Sequence, residues 1–366
     1  MAAAAAMFAA CSETEVLNVA QESAPKAIAF ETYAGKATRA DAENSGMTCS
    51  YDLKDHHDDF WVWGYKSNAG AKVFNNVKVT LTGSNWIYTA NGAENGIYWD
   101  KAAESYEFYA AAPATASFWT LNENDAADKA DDYFTTTEFT VAAHNIATGA
   151  TSATESFDVT GSKDMDLMIA NKETVERANF GQEVQLDFMH ILSRLNITVA
   201  TSLNNVILKS LTVNGLGATA SFDESQVPNP SVGTYGRWGS EVLGVWTAGV
   251  TDPVTYTALA DQPVNGTAKY VLEALVMPQA AAHEDIEIYE TGTNPYLTIS
   301  YTINGEPFTA SYNLAAAFGS TGEPLPFNEG WQNTLNINIA ADAISFSGTV
   351  AKWKDTPKTH TVGDNY

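Results

Sequence analysis

The chain has 366 residues, with 44 Asp plus Glu against 19 Lys plus Arg and a formal net charge of −25. That balance argues against nucleic acid and anionic membrane surfaces as partners, because no basic cluster is present to neutralise phosphates. Aromatic and β-branched residues are plentiful, charged residues make up 17%, and 25 Gly and 12 Pro punctuate the chain, which predicts an all-β protein with enough length for two cores.

The first element is the apolar run "AAAAAMFAAC", too short to span a bilayer but suited to a signal-peptide core ending in small residues. Its end, "FAAC", resembles the lipobox of bacterial lipoproteins, in which cleavage before the Cys precedes lipidation of the thiol. "SETE" behind it resembles the acidic tag of surface-exposed lipoproteins. Phe8 stands where Leu is usual, and no Lys or Arg precedes the run. The resemblance implies that Cys11 is acylated, which rules out a disulfide with Cys49, the other cysteine. The polar stretch up to Lys26 reads as a tether. "AIAFETY" then alternates, with Ile28 and Phe30 on one face, and a loop from Gly35 to Ala40 carries Arg39, one of four arginines.

From Cys49 onward short aromatic or β-branched strands recur at roughly ten-residue intervals, a spacing that suggests a β-sandwich rather than a βαβ fold. They include 60–66, 76–83, 86–90, 97–100, 105–113 and 164–170. Residues 121–132 and 143–163 read as polar loops over this first sandwich; the former lacks the Gly turn and closing Glu of an EF-hand. A second alternating block opens at "EVQLDFMHILSRLNITVA", where Val184, Leu186 and Phe188 share one face, Leu195, Ile197 and Val199 share another, and "HILSR" shifts the phase. Further strands are expected at 206–216, 269–279, 285–290 and 296–314, the last a hairpin turning on Asn304-Gly305. "ADKADDYF" and "NLAAAFG" carry short helix signals, and 331–340 and 344–353 close the pattern.

Chemistry is sparse. No phosphate loop, nucleophile elbow or HExxH motif occurs. Asp55, His56, His57, Asp58 and Asp59 read as a solvated turn rather than a metal site, since adjacent strand histidines point to opposite sides. His190, near Arg194, reads as a structural histidine. Most of the nine tryptophans sit at alternating strand positions and read as core. No enzyme activity, metal or cofactor is expected.

The succession "FWVWGYK…WIYT…YWD…YEFYAAAP", "KDMDLMIA", "LDFMHILSRLNITV", "LTVNGL", "LEALVMPQ" and "WQNTLNINI…ISFSGTVAKWKD" resembles the fimbrillin (Mfa-like, FimA-like) pilins of Bacteroidales. The resemblance implies two tandem transthyretin-like β-sandwiches, exported as a lipoprotein and assembled into a type V pilus on the outer membrane. It divides the chain into a leader (1–11), a prosegment with a removable strand (12–39), an N-terminal sandwich (40–185) and a C-terminal sandwich (186–366). It also implies that an Arg-specific protease cuts at "KATRA", after Arg39, and that other fimbrial subunits are partners by strand exchange, with a host or bacterial surface ligand for adhesion. Removing Ile28 and Phe30 with their strand leaves an open edge that a sister strand can fill. The tail "KDTPKTHTVGDNY" alternates poorly, whereas Ile344, Phe346 and Val350 alternate well; that strand either belongs to the subunit's own second sandwich or swings out as a donor. The competing reading is a stand-alone surface lipoprotein that binds glycans, with Trp238 and Trp246 as stacking platforms.

Overall fold

The structure, a computed structural model, describes residues 26–33, 53–55, 57–67, 71–114, 118–123, 132–141, 143–154, 166–225, 245–248, 253–281, 295–318, 325–341 and 343–352. Within these the chain is all-β, with one helix of a single turn, Leu314–Ala317, inside the predicted helical stretch.

Seven strands form the first sheet, in the spatial order Phe30–Tyr33, Val184–His190, Met168–Glu176, Ser105–Ala112, Asp59–Lys66, Lys72–Thr82 and Asn85–Ile87. The first two run parallel and every other neighbouring pair is antiparallel. Alternation decides which side is buried: Val184, Leu186 and Phe188 point inward while Gln185 and Asp187 face out. A smaller sheet packs on the opposite face, ordered Phe139–Thr140, Thr219–Asp223, Tyr133–Thr136 and Trp119–Asn122, with Val245–Ala248 also paired to Thr219–Asp223. Trp63 and Tyr109 of the large sheet meet Phe134 of the small one edge-on, at 5.4 and 6.5 Å between ring centroids.

The second core lies between two further sheets. One is ordered Lys269–Val276, Ser193–Thr201, Trp331–Ile339 and Ile344–Lys352; the other Pro253–Thr257, Val206–Gly217, Tyr296–Ile303 and Glu306–Asn313. The hairpin predicted at Asn304-Gly305 is present: both residues have positive φ, 51° and 91°, and Ile303 pairs with Glu306, as a type I′ turn requires.

Four expectations need correction. The break at residue 185 falls inside the strand Val184–His190, which belongs to the first sheet; the phase shift at Ile191 and Leu192 is where the chain passes to the second core. The chain also returns: Thr219–Asp223 and Val245–Ala248 complete the small sheet of the first core, where Ala220, Phe222 and Trp246 are buried. His57 is not in a solvated turn. It is 2% exposed, and its Nε2 lies 2.7 Å from the Asp166 carbonyl oxygen, because the 3₁₀ turn Leu53–Asp55 carries the chain inward before the strand begins. Residues 145–154 do not lie only over the first core. Their backbone bonds along the strand Lys269–Val276 through Ile146 N–H to Glu273 O, Gly149 N–H to Tyr270 O and Tyr270 N–H to Ala150 O. That covers one edge of the second core's sheet.

A buried ion pair fixes this crossing segment. Arg194 and Glu273, 2% and 1% exposed, meet at 2.6 Å. Glu273 also accepts from the Thr154 N–H and hydroxyl, and the Arg194 guanidinium donates to the Thr154 carbonyl and to Asn196 Oδ1. Every partner is charge-assisted, the condition under which such a pair is tolerated inside a protein.

The returning segment has a pH consequence. Glu224 Oε2 accepts the Phe134 N–H at 2.7 Å, yet burial raises its pKa from 4.5 to about 7, with Asp223 adding to the rise and the hydrogen bond opposing it. Between those values the folded state holds a proton that the unfolded chain has released, so stability falls as pH rises through that window. Thermal unfolding across the range is expected to show this decline, and Glu224→Gln, which keeps an acceptor for Phe134, to flatten it; an unchanged slope in the variant would remove Glu224 as the cause.

Candidate assembly site

The strand that the fimbrillin resemblance implies is removable is short, and it closes the first core. In Phe30–Tyr33 the register pairs Phe30 with Val184 and Thr32 with Leu186, so in this parallel ladder Phe30 and Thr32 share the inward side with Val184 and Leu186. Ile28, Phe30 and Thr32 are 0%, 2% and 2% exposed. Phe30 is surrounded edge-on by four rings, Phe74 at 5.2 Å, Phe108 at 5.7 Å, Tyr88 at 5.9 Å and Phe60 at 6.1 Å. Each of these aromatic pairs adds roughly 0.5–1.5 kcal/mol beyond the area it buries.

Polar contacts hold the strand on both flanks. On one side the Val184 N–H donates to the Ala29 carbonyl at 2.8 Å. On the other, the Ile28 N–H donates to Ile97 O, the Trp99 N–H donates to Lys26 O, and Ala27 bridges Tyr98. Trp86 Nε1 donates to the Thr32 hydroxyl and Tyr88 Oη to the Ile28 carbonyl, at 2.9 and 2.8 Å. Burial pushes the Tyr88 hydroxyl well above its ordinary pKa, so it remains a donor. The strand therefore fills a lane between the edge at Val184–His190 and the stretch 86–99. Its outward residue Glu31 pairs with Lys54 at 2.6 Å, both partly exposed.

Of the other sequence-predicted residues, Cys11, Arg39 and Trp238 lie outside the described residues, as do Cys49, His56 and the tail after Lys352. Trp246 is 3% exposed, packs on Phe222, and its Nε1 donates to the Ile191 carbonyl at 2.8 Å, so its ring is part of the first core and not a sugar platform. Ile344 and Phe346 are half-buried against the second core, and the strand that carries them with Val350 pairs along its whole length with Trp331–Ile339. Of the two placements open from sequence, the structure shows the strand within the subunit's own sheet. His190 bonds through Nδ1 to Asp166 Oδ1 at 2.7 Å, both fully buried. Among the described residues no group of His, Cys, Asp or Glu is arranged to hold a metal ion, and no helix is long and apolar enough to cross a membrane.

A family model described as fimbrillin-like aligns with residues 38–353. The chain belongs to the fimbrillin-like family. The aligned region begins after the Phe30–Tyr33 strand. Solved structures similar to this fimbrillin-like chain include a candidate cell adhesion protein from Bacteroides uniformis, at 19% identity and a TM-score of 0.47, covering 89% of this chain and 98% of that one. A fimbrial protein from Bacteroides vulgatus aligns at 16% identity and a TM-score of 0.43, covering 90% and 99%. The tip fimbrial protein Mfa3 from Porphyromonas gingivalis, with a C-terminal truncation, aligns at 9% and 0.35, covering 82% and 96%. No curated protein matches the chain in sequence.

Proposed function

We propose that this fimbrillin-like chain is a pilus subunit that polymerises by strand replacement and so supports adhesion at the cell surface. The observation that carries the reading is the Phe30–Tyr33 strand: it seals an aromatic core, pairs with a single neighbouring strand in its sheet, and is joined to the rest of the chain through the segment containing Arg39. In this reading an Arg-specific protease cuts after Arg39, the strand departs, and the lane lined by Phe60, Phe74, Tyr88, Trp86 and Phe108 opens. A strand from another subunit then restores both the ladder and the aromatic contacts. Before cutting, the same strand keeps the precursor from polymerising. Acylation of Cys11 would tether the exported precursor to the outer membrane.

Trypsin added to the folded precursor is expected to cut after Arg39 and to build a ladder of oligomers on size analysis, while Arg39→Ala stays uncut and forms no ladder in that assay. Polymer formation by the uncut variant would overturn the trigger. The glycan-binding alternative loses one of its two platforms with the burial of Trp246.

A further inference from the structure

Among the described residues, the sheet that contains Ile344–Lys352 is covered along one edge only. Its Lys269–Val276 edge is covered by residues 145–154, whereas Ile344–Lys352 is the last strand at the other end, and among the described residues no strand pairs with its outer edge. Exposed edges are usually blunted by bulges, Pro or inward charges. This one has none of these. All nine residues pair one to one with Trp331–Ile339 without a register shift, there is no Pro, and its one charge, Lys352, is the terminal residue.

An apolar strip lies alongside. The neighbouring edge strand Glu306–Asn313 carries Phe308, which at 42% exposure is one of two large hydrophobic residues exposed to this degree among the described residues. Phe308 stacks on Tyr301 at 5.4 Å, and Tyr312 of the same strand meets Phe346 at 4.7 Å, so the two edge strands form one side of the second sandwich.

We propose that this side is a docking surface for a second copy of the chain, with the two Ile344–Lys352 strands paired antiparallel across a two-fold axis near Ser347. The strand is self-complementary in that arrangement. Ser345, Ser347 and Thr349, all exposed on its outward face, meet Thr349, Ser347 and Ser345 of the second copy, a hydroxyl ladder that extends the sheet across the axis. Charge favours a like partner at this place and disfavours it elsewhere. The molecule carries −25, but from Ile344 to Ala351 the strand is uncharged, so two copies approach here without direct repulsion and salt screens the remainder.

The test uses the full chain carrying Arg39→Ala, so that no cut strand contributes. Sedimentation velocity over a concentration series is expected to show a monomer–dimer equilibrium that tightens as salt is added. Amide hydrogen exchange in the strand should slow as the dimer fills. Ser347→Asp, an exposed position whose replacement leaves the monomer core intact, puts two carboxylates face to face and should weaken dimerisation several-fold; Phe308→Asp should weaken it independently. A monomer at all concentrations and salts overturns the proposal, as does a dimer indifferent to both substitutions. Strand protection that is independent of concentration also overturns it, since the chain's own residues would then cover the edge. Loss of this dimer leaves strand replacement at the first core untouched, because the variant used cannot be processed at residue 39.

Discussion

Replacing Phe30 with Ala is expected to destabilise the first core by about 3–5 kcal/mol, the range for removing a buried aromatic ring from a packed site. The upper part of the range applies here because four rings lose a partner at once and little can collapse into the space: Phe60, Phe74, Tyr88 and Phe108 belong to different strands or loops of the same rigid sheet. Urea unfolding of the precursor measures the loss. Glu31→Gln, one position along on the outer face, is the control; its ion pair with Lys54 is partly exposed and its removal should cost under about 1 kcal/mol. Equal effects from the two substitutions would mean that the strand lies on the core without being part of it. Under the proposed strand replacement, a strand weakened by Phe30→Ala should also leave its lane sooner once the chain is cut after Arg39.

Glu273→Ala should be comparably severe. It leaves the Arg194 guanidinium buried without its carboxylate, a change that typically costs about 3–5 kcal/mol, and removes the acceptor for the Thr154 N–H and hydroxyl. The damage should also be local, with faster amide exchange at Ile146 and Gly149 as the crossing segment lifts from Lys269–Val276. A double replacement, Arg194→Met with Glu273→Leu, should recover much of the loss, since no charge is then stranded. If the single variant unfolds like the wild type in urea, the ion pair contributes nothing beyond its own desolvation.

Much of this fold is legible from local pattern. The alternation of Val184, Leu186 and Phe188 reports a half-buried strand whatever lies around it, and Asn304-Gly305 selects a hairpin turn through backbone sterics alone. Ile28 and Phe30 were readable as an inward face for the same reason. What sequence does not carry is pairing over distance. Arg194 and Glu273 are separated by 79 positions, and His57 and Asp166 by 109, so nothing in either neighbourhood announces the other. "HHDD" looks solvated because its composition is polar, yet His57 faces inward where a buried carbonyl can accept its ring N–H. Trp246 is similar: a Gly-rich surrounding suggests a loop, but the indole has a buried acceptor at Ile191. The return of Thr219–Asp223 and Val245–Ala248 to the first core follows from topology and leaves no periodic trace.

That return governs when the molecule can take shape. A chain made from its amino end presents Phe30 and its aromatic neighbours long before Phe222 and Trp246, which belong to the same buried cluster, are available. Contacts so remote in sequence form late and slowly. The leading half is therefore expected to finish packing only once about two-thirds of the polypeptide is available.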